Sequence, residues 1–290
     1  MRICLIPLLL ALAGGLSERR SLADEKESPP VNVSWENDYF HATETANNQQ
    51  KMLLAFFSKP DDPASQRLES ESFSNQDVAR KLREFVCLRV PTDAKISLDG
   101  KEVVLLQHAS LSEMRGQPGV AIIDYAHDDP KLHGYVVSVF PLNKGISYGP
   151  AEMAVILDLP KGTLTQRTLI YAVRVHPERP ASALGRPDER LLTEAENHSQ
   201  YQANIRVQGH HGWGDRGPRI AALFGGSPRE VCAESWPGQD LVESAVECVR
   251  CWRQSPGHWG AVRAPNRAFG YDMRRGSNGV WYATGIFAAD

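Results

Sequence analysis

The sequence predicts a mixed fold of the α/β (α+β) class in two halves, and three observations carry that expectation. The chain has 290 residues, enough for two cores of roughly 100–150 residues each. Apolar runs without alternation, at residues 52–57, 85–90, 120–123 and 135–140, read as strands buried on both faces, with helical apolar spacing between them. Near the end, residues 269–273 and 280–287 flank Gly276-Ser277-Asn278-Gly279, a hairpin signal. Composition agrees: 42% hydrophobic residues, 23% charged residues and a net charge of −3 exclude wholesale disorder, collagen and coiled coil. A balance so near neutral gives no general attraction to polyanions.

The first residues read as an export signal. Arg2 supplies the positive end, residues 3–16 are apolar, and small residues lead to Ala23 before Asp24. The apolar run of about 14 residues is shorter than the roughly 20 that a bilayer-spanning helix needs. The expectation is a signal peptide over residues 1–23, a linker over 24–34 carrying Pro29-Pro30, and a secreted or periplasmic mature chain without a transmembrane segment. Export permits disulfides. Cys4 would leave with the signal, so Cys87, Cys232, Cys248 and Cys251 remain.

Order is expected from Trp35. Trp35, Tyr39, Ala42 and Ala46 recur at helical spacing before the strand at 52–57, and Pro60-Asp61-Asp62-Pro63 then breaks the chain. A helix can start near Ala64, and Ser74-Asn75 caps another carrying Val78, Leu82 and Phe85. The strand at 85–90, a polar hairpin around Asp99-Gly100 and a short helix near Leu111 follow. Gln117-Pro118 stands directly before the strand at 120–123. This order resembles the thioredoxin-like fold over residues 35–150, with Gln117-Pro118 placed like that family's cis-proline. In the resemblance Asp62 and Ser65 occupy the places of the two redox cysteines, which implies a scaffold unable to exchange disulfides.

Residues 151–162 read as a second linker with a short helical stretch. Beyond it, residues 164–175 are helical in pattern, a second helix carries Leu191, Leu192, Ala195, His198 and Ala203, and a third runs over 240–253. The helix end Trp252-Arg253-Gln254-Ser255-Pro256-Gly257-His258 is expected to stop at Ser-Pro-Gly and place His258 at the mouth of the next strand. That signature resembles the CAP superfamily, the cysteine-rich secretory, antigen 5 and pathogenesis-related (SCP-like) group. The Glu230-Val231-Cys232-Ala233, Phe269-Gly270-Tyr271 and Tyr282-Ala283-Thr284 stretches, and the spacing from His198 to His210, extend the resemblance over residues 163–290. It implies an α-β-α sandwich with a cleft lined by His210, Glu230 and His258. His211 rivals His210, Ser255 stands where many members have a second glutamate, and Glu234 is a candidate substitute.

Two imidazoles and one carboxylate form a set with room for a water, suited to Zn²⁺ or another divalent cation; without metal they form a polar cluster. His210, Glu230 and His258 are the metal candidates. Within the resemblance, a structural disulfide is expected between Cys232 and Cys248, with Cys251 as the alternative partner. Cys248-x-x-Cys251 falls inside a helix, where no helix N-terminus stabilises a thiolate, which argues against thiol chemistry. Ser255 lies three residues before His258 and could be cast as the nucleophile of a hydrolase, although no oxyanion-hole motif accompanies it. Six arginines between Arg250 and Arg275, interleaved with aromatics, read as a solvated face rather than a nucleic-acid surface. The sequence therefore favours an exported binding module for a small-molecule, lipid or protein ligand. A His/Glu-dependent hydrolase is the alternative, and a thiol oxidoreductase the third reading.

Overall fold

The computed structural model of the protein describes residues 32–98, 100–143 and 145–288. The predicted signal 1–23, Cys4, most of the linker 24–34 and Asp99 lie outside the described residues. The chain is mixed α/β, and no helix among the described residues is long and apolar enough to cross a membrane.

The first half is built on a short strand β1 (Trp35–Glu36), where helical spacing predicts the start of a helix. The helix α1 (Tyr39–Gln49) begins only after Asp38, whose carboxylate accepts the His41 N–H. Next come β2 (Leu53–Ser58), α2 (Pro63–Arg67) running on into a π-helical turn, α3 (Gln76–Leu82) and β3 (Val86–Pro91). A small antiparallel hairpin, β4 (Lys95–Leu98) and β5 (Lys101–Val104), leads to β6 (Gly119–Ile123) and β7 (Val136–Pro141). The sheet order is β1-β3-β2-β6-β7; β3 runs parallel to β1 and β2, while β6 is antiparallel to β2 and β7. Its central position, covered on both faces, explains why β2 reads as an unbroken apolar run.

The turn into β6 differs from the sequence expectation. No described peptide bond is cis, so Gln117-Pro118 is trans. Gly119 makes the turn instead, with φ +140°, and a Cβ there would stand 2.3 Å from the Phe140 carbonyl oxygen.

The helix α4 (Pro150–Leu157) buries Met153 and Ile156, and α5 (Leu164–Arg174) follows with a capping box between Thr163 and Gln166. Then come β8 (Arg186–Pro187), α6 (Glu189–Ile205), α7 (Trp213–Phe224) and β9 (Arg229–Glu234). The chain closes through α8 (Leu241–Gln254), α9 (Pro256–Arg263), β10 (Ala268–Arg275) and β11 (Trp281–Ala288). The second sheet has the order β8-β10-β11-β9. The predicted hairpin is present, with β10 and β11 antiparallel.

Strand alternation sorts the two faces of this sheet. Thr284 meets Gln202 of α6, whereas Tyr271 meets Trp252 of α8, their ring centroids 5.9 Å apart. A Cβ on Gly270 would stand 2.2 Å from the Leu191 carbonyl, so α6 lies almost directly on β10. Ser-Pro-Gly is not a stop. Ser255 ends α8 and α9 starts at once with Pro256, a position whose N–H needs no intrahelical partner. His258 thus stands in the first turn of α9, and the next strand begins at Ala268.

The two sheets share one hydrophobic cluster, and Arg167 and Asp272 are among the ionisable side chains buried in the fold. Arg167 of α5 donates from Nε to Ser138 of β7 at 2.8 Å and from one terminal nitrogen to the Leu159 and Pro160 carbonyls. Asp272 accepts from the Thr165 hydroxyl at 2.6 Å and from Arg274 Nε at 3.0 Å. Burial pushes the Asp272 carboxyl up to about 7 in spite of Arg274. The folded chain then holds this proton across the window from about pH 4 to about 7 in which the unfolded chain releases it, so Asp272 makes stability fall as pH rises through that window. Asp272→Asn keeps the acceptor for Thr165 and removes the titration. In urea unfolding, the stability of the variant relative to the parent is expected to increase steadily from pH 5 to pH 7.5; a difference independent of pH would contradict the assignment.

Candidate functional site

The site starts from the pleat of β9. Glu230 and Cys232 are two residues apart and point to the face covered by α6, while Val231 and Ala233 point to the core under α8. Across the ladder Cys232 stands opposite Thr284. On α6, His198 and Gln202 are four residues apart and present both polar heads to the same loop. His198 Nε2 lies 2.8 Å from the Gly209 carbonyl oxygen, and Gln202 Oε1 accepts the Gly209 N–H at 3.1 Å. Held at both its polar groups, Gly209 fixes the direction of His210.

His210 Nδ1 lies 3.0 Å from Glu230 Oε1, and its Nε2 lies 3.2 Å from His258 Nε2. The Glu230 side chain is 1% exposed and that of His210 42% exposed, so the carboxylate is at the bottom and the imidazole at the rim. Arg216, in the first turns of α7, brings its guanidinium within 2.6 Å of Glu230 Oε2 and also donates to the His211 carbonyl. Cys232 Sγ is 3.7 Å from His210 Nδ1.

The electrostatics follow from this placement. Burial pushes Glu230 up, but the His210 hydrogen bond and the charges of His198 and Arg216 outweigh it and hold the carboxyl below its ordinary value. An ionised Glu230 only accepts, so neutral His210 carries its proton on Nδ1 and offers the Nε2 lone pair outward. Burial, and then the neighbouring His210, lowers His258; burial lowers His198 against the pull of Glu230. Both are therefore neutral at pH 7. Burial and the Glu230 carboxylate raise the Cys232 thiol well above its usual range, so it is no thiolate.

His210, Glu230 and His258 converge, but in series rather than around one point: Glu230 and His258 hold opposite nitrogens of the His210 ring. His211 turns away, its Nε2 3.3 Å from the Val207 carbonyl oxygen and its ring against Tyr201. Ser255 caps α9 without a side-chain capping bond. Glu234 is exposed at the end of β9. Among the arginines of the predicted basic face, Arg250 pairs with Glu247, Arg253 with Glu178, and Arg274 with Asp272 and Glu196.

The expected disulfide is absent: Cys87, Cys232, Cys248 and Cys251 are all free. The physical reason is the pleat, because Cys232 faces α6 while Cys248 is fully buried on α8, on the other side of the sheet. Cys251 is half-buried, and burial and then Glu247 raise its thiol.

Arg216 and the whole of α7 carry no signal in the sequence that singles them out. Gly214, Gly217 and Pro218 break the apolar period of α7. His198 and Gln202, by contrast, lie on the same buried stripe as Leu191 and Ala195, and polar residues on such a stripe are a readable sign of a buried network. No family model and no curated protein matches this chain.

Peptide mapping of the unreduced, denatured protein is expected to recover Cys87, Cys232, Cys248 and Cys251 as free thiols. In the native protein Cys251 should be alkylated first, with Cys232 and Cys248 protected. A peptide joined through Cys232 would contradict the two-face arrangement.

Proposed function

We propose that the chain is an exported binding module that takes a divalent cation at the rim of its cleft, between His210 and His258. The 3.2 Å separation of the two Nε2 atoms carries this reading. Two nitrogen ligands at Zn–N bonds of about 2.0–2.1 Å around a tetrahedral ion stand roughly 3.3 Å apart, so the pair fits one ion with little movement. Glu230 then plays the part of an orienting carboxylate, fixing the tautomer of His210 through Nδ1 rather than ligating beside it. His258 would present its Nε2 lone pair and keep its proton on Nδ1. Such a cation, once bound, offers a Lewis-acid anchor for an anionic or carbonyl group of a small-molecule, lipid or protein ligand.

The CAP-type reading of the second half is supported by α6 on one face of the second sheet and α5 and α8 on the other. The thioredoxin-like reading of the first half is supported by the order β1-β3-β2-β6-β7 and its pattern of parallel and antiparallel pairs. Where that family has redox cysteines, Asp62 caps α2 by accepting the Ser65 N–H at 2.7 Å, and the Ser65 hydroxyl accepts the Lys59 N–H at 3.1 Å. Capping chemistry there supports a scaffold role.

Calorimetry with Zn²⁺ tests the cation. A component of binding that both His258→Ala and His210→Ala remove is expected at pH 7.5. As pH falls below the ordinary histidine range near 6.5, protons compete for the two Nε2 atoms and affinity should drop. Zn²⁺ binding untouched by His258→Ala would refute the rim assignment.

A further inference from the structure

The rim uses only one nitrogen of His210, and the other side of the ring faces a second group of donors. His210 Nδ1 is 3.0 Å from Glu230 Oε1 and 3.7 Å from Cys232 Sγ, and His198 Nε2 is 3.8 Å from the same Glu230 oxygen. His198, Glu230 and Cys232 offer ligand atoms that all lie within 4.8 Å of one another, and all three residues are buried. Ligands at bonds of about 2.0–2.3 Å around a tetrahedral ion are spaced by roughly 3.3–3.7 Å, so modest contraction closes this set on one centre.

We infer that the cleft has an inner position for a thiophilic divalent cation of the zinc class, held by Cys232, Glu230 and His198. This rests on the cleft being a cation site and deepens that reading by naming the class of ion. A nitrogen, oxygen and sulfur set selects Zn²⁺, Co²⁺ or Cd²⁺ over Mg²⁺ and Ca²⁺, which prefer oxygen. The charges suit the purpose: Arg216 pairs with Glu230 Oε2, Oε1 has a second lone pair for the ion beside the His210 hydrogen bond, and the second negative charge comes from Cys232. As the metal–sulfur bond forms, the Cys232 S–H bond breaks and its proton passes to solvent. His198 gives its Nε2 proton to the Gly209 carbonyl, so to ligate through Nε2 it has to release that bond and carry its proton on Nδ1, and the carbonyl it leaves belongs to a half-exposed loop residue that water can reach.

A thiol is what sets this position apart from the rim, and sulfur has a direct optical signature. Titration of the full chain with Co²⁺ is expected to give tetrahedral d–d bands together with a thiolate-to-cobalt charge-transfer band in the near ultraviolet. Cys232→Ser should abolish the charge-transfer band, His198→Gln should weaken it, and His258→Ala should leave it in place. X-ray absorption of the zinc-loaded parent protein, which needs no variant to fold, should find one sulfur neighbour. Cobalt bound without charge transfer and lost in His258→Ala would overturn the inner position while leaving the rim reading standing. A charge-transfer band that persists in Cys232→Ser, or zinc with no sulfur neighbour, would also overturn it. No uptake of either ion would sink both.

Discussion

Glu230 enters the second half from β9 with its side chain 1% exposed, and a carboxylate buried to that degree has to be matched by donors from elsewhere in the chain. Two come from neighbours in space that are distant in sequence. Arg216 answers one oxygen from the start of α7, and His210 answers the other from the loop before it. The loop can supply His210 only because Gly209 is gripped by His198 and Gln202 on α6, which is in turn pressed onto β10 at Gly270. The position of α7, the course of the 206–212 loop and the direction of the rim imidazole are thus consequences of one buried charge. Removing Glu230 would leave Arg216 and His210 facing a vacated acceptor, a larger loss than that of a single hydrogen bond.

Arg167 plays a comparable part away from the cleft. A guanidinium buried to 1% exposure remains where it is because Ser138, Leu159 and Pro160 accept from it. Two of those acceptors belong to the segment between the halves, and the third to the edge strand of the first sheet. Burial depresses its pKa to about 10, still far enough above neutrality for it to remain charged. One side chain of α5 therefore ties the second half to the first through directional bonds. The apolar cluster that runs from Phe56 to Phe287 adds the non-directional part.

Much of the architecture was legible in the sequence, for reasons of period. Apolar runs such as Leu53 to Phe57 suggest strands covered on both faces, and the stripe of Leu241, Ala245, Cys248 and Trp252 suggests a helix seated on a core; both are found buried. The errors have equally local causes. Trp35 fell into helical register with Tyr39 by coincidence, whereas Asp38 caps the helix after it. Ser-Pro-Gly reads as a terminator, yet proline is welcome at the first position of a new helix, and α9 begins there. The disulfide was misplaced because setting Cys232 at the cleft wall and Cys248 on the buried stripe of its helix ignores the pleat. Residues 230 and 232 share a face, and that face is turned away from α8. In the cleft, His210, Glu230 and His258 could be named from a motif. Their serial arrangement, and the supporting roles of His198, Gln202 and Arg216, depend on which nitrogen meets which oxygen, and no spacing encodes that.

That arrangement also bears on what chemistry the cleft can do. A carboxylate behind a histidine makes a general base, but a base needs a nucleophile within hydrogen-bond reach on its outward nitrogen. At His210 the outward Nε2 meets His258, another imidazole, and Ser255 stands at a helix cap with only main-chain bonds to Trp252 and Trp259. Cys232 is close, but it lies on the inward nitrogen, beside a carboxylate that disfavours its thiolate. The helical pair is no better placed for redox turnover. Cys248 is fully buried, and both thiols are raised by burial rather than lowered by a positive neighbour. What the cleft does offer is a graded set of lone pairs, with two imidazole nitrogens at the rim and nitrogen, oxygen and sulfur beneath. The proposed cation site rests on those lone pairs directly, whereas hydrolysis would need a nucleophile brought to the outward nitrogen of His210.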